Sequence, residues 1–426
     1  MITFLSRRRF LQAGAAAPLA LGLTHPLLAD EPKKTPASER LTLGFIGVGT
    51  MGRGHLGGFL GMKDVQVLAV CDVVAERRDD ARKMVEKRYG DATKGTYKGC
   101  DAYTDFHKII ERKDIDAVVI ATPDHWHAIP VILAAQAKKD IYCEKPLTHN
   151  IAEGRRIVET VDKNGVIFQT GSQQRTEFNN RFRLAVELVR NDRIGKVKTI
   201  RIGVGGPSKA CDLPTQDVPE GTDWDFWLGP APERGYNEKL CPKGIHKHFP
   251  AWREYWEFGG GQVADMGAHH FDIAQWALDM DGSGPVEIHP PEKGDKGLRF
   301  VYANGVEMIH GGEADCVFVG EKGTIRVSRD KIGSDPAEIV KTPIGEKEWH
   351  CYPANNHKRN WVECVRSRKA TICPPEVGHR SATVCHLGNI GYRLRKQLRW
   401  DPVKERFDDA EANKLISREP RAKWKV

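Results

Sequence analysis

The chain has 426 residues, enough for two or three domains at roughly 150 residues each. Hydrophobic residues make up 40% and charged residues 29%, so a buried core is attainable and disorder is not the expectation. The formal charge is +8, Arg7, Arg8 and Arg9 included, and the other Lys and Arg form no dense basic stripe interleaved with aromatics, which argues against a nucleic-acid surface. After the first thirty positions no run of about 18 apolar residues occurs, so a membrane-embedded body is excluded. The 10 cysteines contain neither C-x-x-C nor zinc-type spacing. Cys71 and Cys143, at the ends of apolar runs, read as small buried hydrophobes.

At the N-terminus, Ser6-Arg7-Arg8-Arg9-Phe10-Leu11-Gln12 precedes a soft apolar stretch from Ala13 to Leu28. A charged segment followed by a modest apolar one reads as a signal peptide. The arginine pair before x-Phe-Leu resembles the twin-arginine export signal, which implies a periplasmic or otherwise exported protein. The expected division is a leader over 1–29, a polar, Pro-bearing linker over 30–40, a first domain over 41–166 and a second over 167–426. Export would be compatible with one or two disulfides among the later cysteines, without specifying a pairing.

Leu41 to Ile46 is an apolar run ending in Gly47-Val48-Gly49-Thr50-Met51-Gly52, and a helical stretch follows. G-x-G-x-x-G between a strand and a helix permits a tight turn, close approach of backbone to a pyrophosphate and close helix–strand packing. The helix N-terminus then attracts the phosphates. Val65 to Cys71 reads as the next strand, and Asp72 at its end lies 25 residues after Gly47, where a carboxylate meets ribose hydroxyls. A carboxylate there repels a 2′-phosphate, and Val73 and Val74 follow rather than an arginine, which favours NAD over NADP. Asp72 also suits a helix cap. Ala75 to Tyr89 and Asp105 to Glu111 read as helices, and Ala117 to Ala121 as a strand buried on both faces. That strand runs into Thr122-Pro123-Asp124-His125-Trp126-His127, and the next, Asp140 to Cys143, closes with Glu144-Lys145-Pro146. The alternation predicts right-handed βαβ units in a doubly wound α/β sheet, whose ligands lie at the carboxyl ends of the strands. Asp72, the Pro123–His127 loop and Lys145 all fall at such ends.

Gly165 to Gly171 reads as a strand leading to Ser172-Gln173-Gln174-Arg175, and Phe178 to Arg190 as a helix. Short, Gly-separated strands at Lys198–Gly203, Glu287–His289, Leu298–Tyr302, Glu307–His310, Cys316–Gly320 and Gly323–Ser328 predict an antiparallel sheet. Between them, Trp224, Trp227, Tyr236, His246, His248, Trp252, Arg253, Tyr255 and Trp256 crowd one segment. Aromatic faces among polar groups suit a sugar ring, although a loop buried by its own tryptophans fits as well. His246 and His248 with His269 and His270 could assemble a metal site, but no diagnostic acidic partner accompanies them, and no metal is expected. Asn360–Arg368 and His379–Gln397 read as helices before a charged tail that packs back on the body.

Together these motifs, with Gly259-Gly260-Gly261 leading to Asp265-x-Gly267-x-His269-x-x-Asp272, resemble the Gfo/Idh/MocA oxidoreductases over most of residues 41–400. The resemblance implies a Rossmann domain followed by a domain built on a large, open antiparallel sheet that serves oligomerisation, as a dimer or tetramer. It implies NAD held by Gly47, Gly49, Thr50, Met51, Gly52, Asp72, Thr122, Pro123, His127, Glu144 and Lys145. It implies Lys145, Asp265 and His269 as the catalytic set, and a substrate-facing loop carrying Gln174 and Arg175. Asp265, His269 and Asp272 complete the candidate substrate contacts, with Asp272 equally suited to a local cap. The chemistry fits the residue types. Oxidising a secondary alcohol moves a hydride to the nicotinamide and requires removal of the hydroxyl proton, which a histidine or a lysine near a cofactor cation can accept or relay. Asp265 and His269, four apart, share one face of a helix.

The leading expectation is an exported NAD-dependent oxidoreductase acting on a sugar, polyol or related carbohydrate. The runner-up is a glycoside-cleaving enzyme that oxidises, eliminates or hydrolyses, and re-reduces on tightly held NAD. A third is a non-catalytic, cofactor-bearing binding protein.

Overall fold

The computed structural model describes residues 39–312 and 315–425, so the leader and all but the last two linker residues lie outside the described residues. Strands β1 (Leu41–Ile46), β2 (Val65–Cys71), β3 (Asp101–Tyr103), β4 (Ala117–Ile120), β5 (Asp140–Cys143) and β6 (Phe168–Thr170) alternate with helices. The helices are α1 (Thr50–Leu60), α2 (Ala75–Thr93), α3 (His107–Ile110), α4 (Ala128–Gln136) and α5 (Ile151–Asn164). The strands form one parallel sheet in the order β3-β2-β1-β4-β5-β6. Helices cover both faces, so the strands are apolar on both sides: all four residues of β4 and of β5 are buried. The strand order reverses between β1 and β4, which opens a crevice at their carboxyl ends. β6 extends this sheet past the boundary expected at residue 166.

The second half begins with α6 (Arg181–Arg190), β7 (Val197–Ile202), α7 (Trp224–Leu228), α8 (Gly261–Asp265) and α9 (Gly267–Ala277). Strands β8 (Glu287–His289), β9 (Arg299–Val301), β10 (Glu307–His310), β11 (Cys316–Gly320), β12 (Thr324–Val327) and β13 (Ile332–Asp335) follow. The chain closes with α10 (Glu338–Lys341), α11 (His357–Ser367), α12 (Pro375–Leu394), β14 (Leu398–Asp401), β15 (Arg406–Phe407) and α13 (Ala410–Asn413). Nine strands form an open sheet in the order β13-β12-β11-β7-β10-β9-β8-β14-β15. The sheet is mixed rather than wholly antiparallel, because β7 and β10 pair in parallel from Thr199–Glu307 to Ile202–His310. Inward residues alternate along the strands: Ile200, Ile202, Phe300, Met308, Phe318 and Ile325 pack with Phe182, Phe271 and Leu387 from α6, α9 and α12.

The tail does return to the body. Trp361 of α11 is fully buried against Phe59 and Tyr142 of the first domain, with ring centroids at 5.6 and 5.7 Å. Trp424 packs edge-on to Trp126 at 4.7 Å. The aromatic segment mostly fills its own core, where Trp224, Trp227, Tyr236, Trp252, Tyr255 and Phe258 are buried together. All ten cysteines are free thiols, Cys71 and Cys143 among the buried ones, so no disulfide joins the later ones. Among the described residues no helix is long and apolar enough to cross a membrane.

Candidate active site

The crevice at the end of β1 and β4 continues into a cavity of about 500 Å³, within the range of cofactor and ligand sites. Gly47 enters the turn at φ +84°, and a Cβ there would lie 2.8 Å from the backbone of Ala121 and Thr122. A Cβ on Gly52 would lie 2.0 Å from the Gly47 carbonyl, so this position sets how closely α1 meets the turn. A Cβ on Gly49 would meet nothing within 4 Å. The second glycine thus faces open cavity, where a pyrophosphate can approach the backbone at the start of α1. Asp72 braces the turn: Oδ2 accepts from Val48 N and Oδ1 from Val74 N, both at 2.9 Å. Each oxygen keeps a second lone pair for a ribose hydroxyl. Gly47, Gly49, Thr50, Met51, Asp72, Thr122, Pro123, Glu144 and Lys145 all line the cavity. These residues fit a dinucleotide.

A segment of the second domain crosses over this turn. Thr50 Oγ1 donates to the His248 carbonyl at 2.9 Å. Arg77 Nε donates to the Gly244 carbonyl at 2.9 Å, and its guanidinium also reaches Pro242. Arg77 lines the cavity but is committed to these carbonyls, so it offers no free fork to a 2′-phosphate.

His127 falls outside the cavity lining. Its Nδ1 and Nε2 lie 2.9 Å from the carbonyls of Pro146 and Thr122. Burial keeps the ring neutral, so it donates to one of these carbonyls and packs between the loops after β4 and β5 rather than lining the cavity. Glu144 accepts from Gln173 at 2.7 Å and pairs with His55 at 2.6 Å. Burial pushes its carboxyl up, but His55 and Lys145 outweigh this and hold it below the usual range.

Three side chains from separate elements meet farther along the cavity. Lys145, after β5 and before a cis Lys145–Pro146 peptide, donates to Asp265 Oδ1 at 2.7 Å and to the Asp265 carbonyl at 2.6 Å. Asp265 ends α8 and His269 lies in the first turn of α9, and both line the cavity with Lys145. Burial raises the Asp265 carboxyl, but Lys145 and Arg253 outweigh this and hold it below the usual carboxylate range. Burial, with the charges of Lys145 and Arg329, pushes His269 well below the ordinary imidazole value, so it is a neutral base. Its buried Nδ1 has no hydrogen-bond partner among the described residues.

The structure moves three candidate substrate contacts away from the cavity. Arg175 is 1% exposed; its Nε and Nη2 donate to the two oxygens of Asp272, each at 2.8 Å, and it also pairs with Asp281. Asp272 is fully buried and accepts a further bond from Ser381 at 2.7 Å. This pair is scaffold, because neither partner reaches the cavity. Gln174 sits behind the site, donating to the His269 carbonyl at 3.4 Å and accepting from Arg329 Nε at 3.0 Å. Its neighbour Gln173 lines the cavity instead, with Asp124, Trp252, Arg253 and Arg329. Arg253 and Trp252 belong to the aromatic segment flagged by composition. Arg329 arrives from the turn between β12 and β13, and no local pattern marks it. His246 bonds through Nδ1 to the His248 carbonyl at 2.9 Å, and among the described residues no cluster of His, Cys, Asp or Glu suits a metal ion.

A glycine-rich turn opening a Rossmann crevice, with a lysine, a carboxylate and a neutral histidine at its far end, defines a dinucleotide-binding oxidoreductase site. Residues 41–172 match the oxidoreductase family's NAD-binding Rossmann fold and residues 207–426 its C-terminal alpha/beta domain, and the chain belongs to the Gfo/Idh/MocA oxidoreductase family. It is 36% identical to myo-inositol 2-dehydrogenase of Thermotoga maritima over 381 residues, covering 84% of this chain and 96% of that one. A Glycosyl hydrolase family 109 protein of Shewanella pealeana is 33% identical over 174 residues, 37% of each chain. The fold is similar to that of scyllo-inositol dehydrogenase from Lactobacillus casei, solved with NAD(H) and scyllo-inositol, with a TM-score of 0.56 at 16% identity over 84% of this chain and 99% of that one.

Proposed function

We propose that the protein moves a hydride between NAD and a secondary hydroxyl of a sugar or polyol. The observation that carries this is the convergence of Lys145, Asp265 and His269 on the cavity that begins at the Gly47–Gly52 turn. When bound along that turn, NAD supplies the hydride acceptor. The chain manages the proton. The lysine ammonium has three N–H donors and spends two on Asp265, so one remains for the substrate oxygen. The anionic Asp265 fixes that geometry. Neutral His269 accepts the hydroxyl proton during oxidation and, once protonated, returns it in reduction. Trp252 and Trp227 add apolar ring atoms to the cavity wall, which suit the C–H surface of a ring.

The similarity to an inositol dehydrogenase over nearly its whole length supports a cyclic polyol as first substrate to try. Incubation with NAD and a panel of inositols and hexoses, read as NADH formation, is expected to yield turnover with at least one cyclic polyol. No NADH with any member would overturn the reading.

A second reading is favoured by the partial similarity to a family 109 glycosyl hydrolase: transient oxidation on retained NAD with net cleavage of a glycoside. It predicts aglycone release without stoichiometric NADH. The Arg7-Arg8 leader supports export, testable by locating the protein in periplasmic and cytoplasmic fractions of a host with and without twin-arginine translocase. The open nine-stranded sheet supports a dimer or tetramer, which light scattering on the purified protein decides.

A further inference from the structure

Asp124 directly follows the Thr122-Pro123 turn at the end of β4, and it lines the cavity while only 4% exposed. Among the described residues no cation comes within ion-pair distance of it. Among the described residues the hydrogen-bond donor to its carboxyl is its own backbone amide. The charged groups that face it are Arg253, Asp265 and Lys145. The two cations are already engaged: Lys145 with Asp265, and Arg253 with Asp265 at 3.6 Å and the Pro250 carbonyl at 3.2 Å. Arg253 also stacks on Trp252, 4.2 Å from its centroid.

A buried carboxyl without a partner is costly as an anion, and the usual outcome is that it keeps its proton. Burial pushes Asp124 well above the ordinary carboxyl value, with Asp265 adding to the rise and Arg253 and Lys145 opposing it. A neutral carboxyl on a cavity wall differs from the two ionised carboxylates nearby, because it has an O–H to donate. With Lys145 and His269 proposed for the reacting oxygen, Asp124 on the same cavity wall is left for another.

We propose that Asp124 is a substrate-recognition residue, a carboxylic acid that donates a hydrogen bond to a hydroxyl oxygen of the bound polyol beside the Lys145–Asp265 pair. The inference rests on the polyol reading only for the identity of the acceptor; the state of the carboxyl is independent of it. Asp124→Asn retains the shape and a donor, whereas Asp124→Ala removes both.

The first arm needs no turnover. The infrared difference between the NAD-loaded wild-type chain and Asp124→Asn at pH 7 is expected to show a protonated-carboxyl C=O band lost on substitution. A carboxylate band in its place would overturn the proposal. The second arm is binding of myo-inositol to the NAD-loaded protein. Asp124→Ala is expected to weaken it about tenfold and Asp124→Asn less than about threefold, with NAD affinity unchanged in both. Equal losses in the two variants, no loss in either, or weakened NAD binding would each overturn it. If wild type binds no myo-inositol, the choice of substrate has failed and the infrared arm alone decides Asp124.

Discussion

Two cation–carboxylate pairs, Lys145–Asp265 and Arg175–Asp272, join the loops after β5 and β6 to the short α8–α9 segment. Their aspartates are seven residues apart, yet they do different work. Lys145 and Asp265 side chains remain 11% and 22% exposed, line the cavity and surround themselves with titratable groups. Arg175 and Asp272 are 1% and 0% exposed, saturated by a bidentate contact, Asp281 and Ser381. Chemistry needs a charge with an unspent donor or lone pair facing a ligand; scaffold needs every one of them spent. Both pairs set a basic side chain from a strand-end loop against an aspartate of the Asp265–Asp272 motif. Solvent access and the count of remaining hydrogen bonds separate them.

Truncating each aspartate in turn separates the two pairs most visibly. Asp265→Ala is expected to lower kcat by about 10²–10⁴-fold while thermal stability stays within a few degrees. Asp272→Ala leaves Arg175 half-paired and sealed from water, and should cost about 3–5 kcal/mol in denaturant unfolding. If Asp272→Ala instead kept wild-type stability and lost substrate affinity, the assignment of the two pairs would be inverted.

Acid sensitivity is the next effect. Burial depresses His125 and His270 to about 3, and His357 and His386 to about 4, from an ordinary 6.5. Between those limits the unfolded chain binds protons that the native chain refuses, so stability falls as pH drops from 6.5 toward 4. Each such histidine contributes up to about 1.4 kcal/mol per pH unit. Calorimetry across this interval checks it; a melting temperature constant down to pH 4 would count against four neutral buried imidazoles.

A smaller effect separates two glycines of one turn. Gly49→Ala adds a methyl facing open cavity and should weaken NAD binding about tenfold with the fold intact. Gly52→Ala pushes against the Gly47 carbonyl and should lower the melting temperature first. Equilibrium NAD titration beside thermal melts distinguishes them.

Much of the first half was legible because its strands are buried on both faces and announce themselves as apolar runs, with loops carrying Asp72, Thr122 and Lys145 at predictable ends. Strand β3, of three residues with Asp101 exposed, leaves no such trace, nor do the edge strands β13 and β15. In the second half, the parallel pairing of β7 with β10 depends on contacts more than a hundred residues apart. The same holds for Arg329, brought to the cavity by the fold alone. Gln173 and Gln174 show the finer limit: one step along a 3-10 turn decides which of two identical residues lines the cavity. His127 shows another, since a histidine in a site motif can serve the backbone.

Lys145, held by Asp265, is proposed to work on a substrate bound against NAD. Its most direct test is a single-turnover experiment with Lys145→Met and wild type, both loaded with NAD and mixed with the polyol that supports turnover. Equal NAD binding in the two proteins is expected, with rapid NADH formation in wild type and a rate at least about 10²-fold lower in Lys145→Met. NADH formation in the variant at the wild-type rate would contradict it.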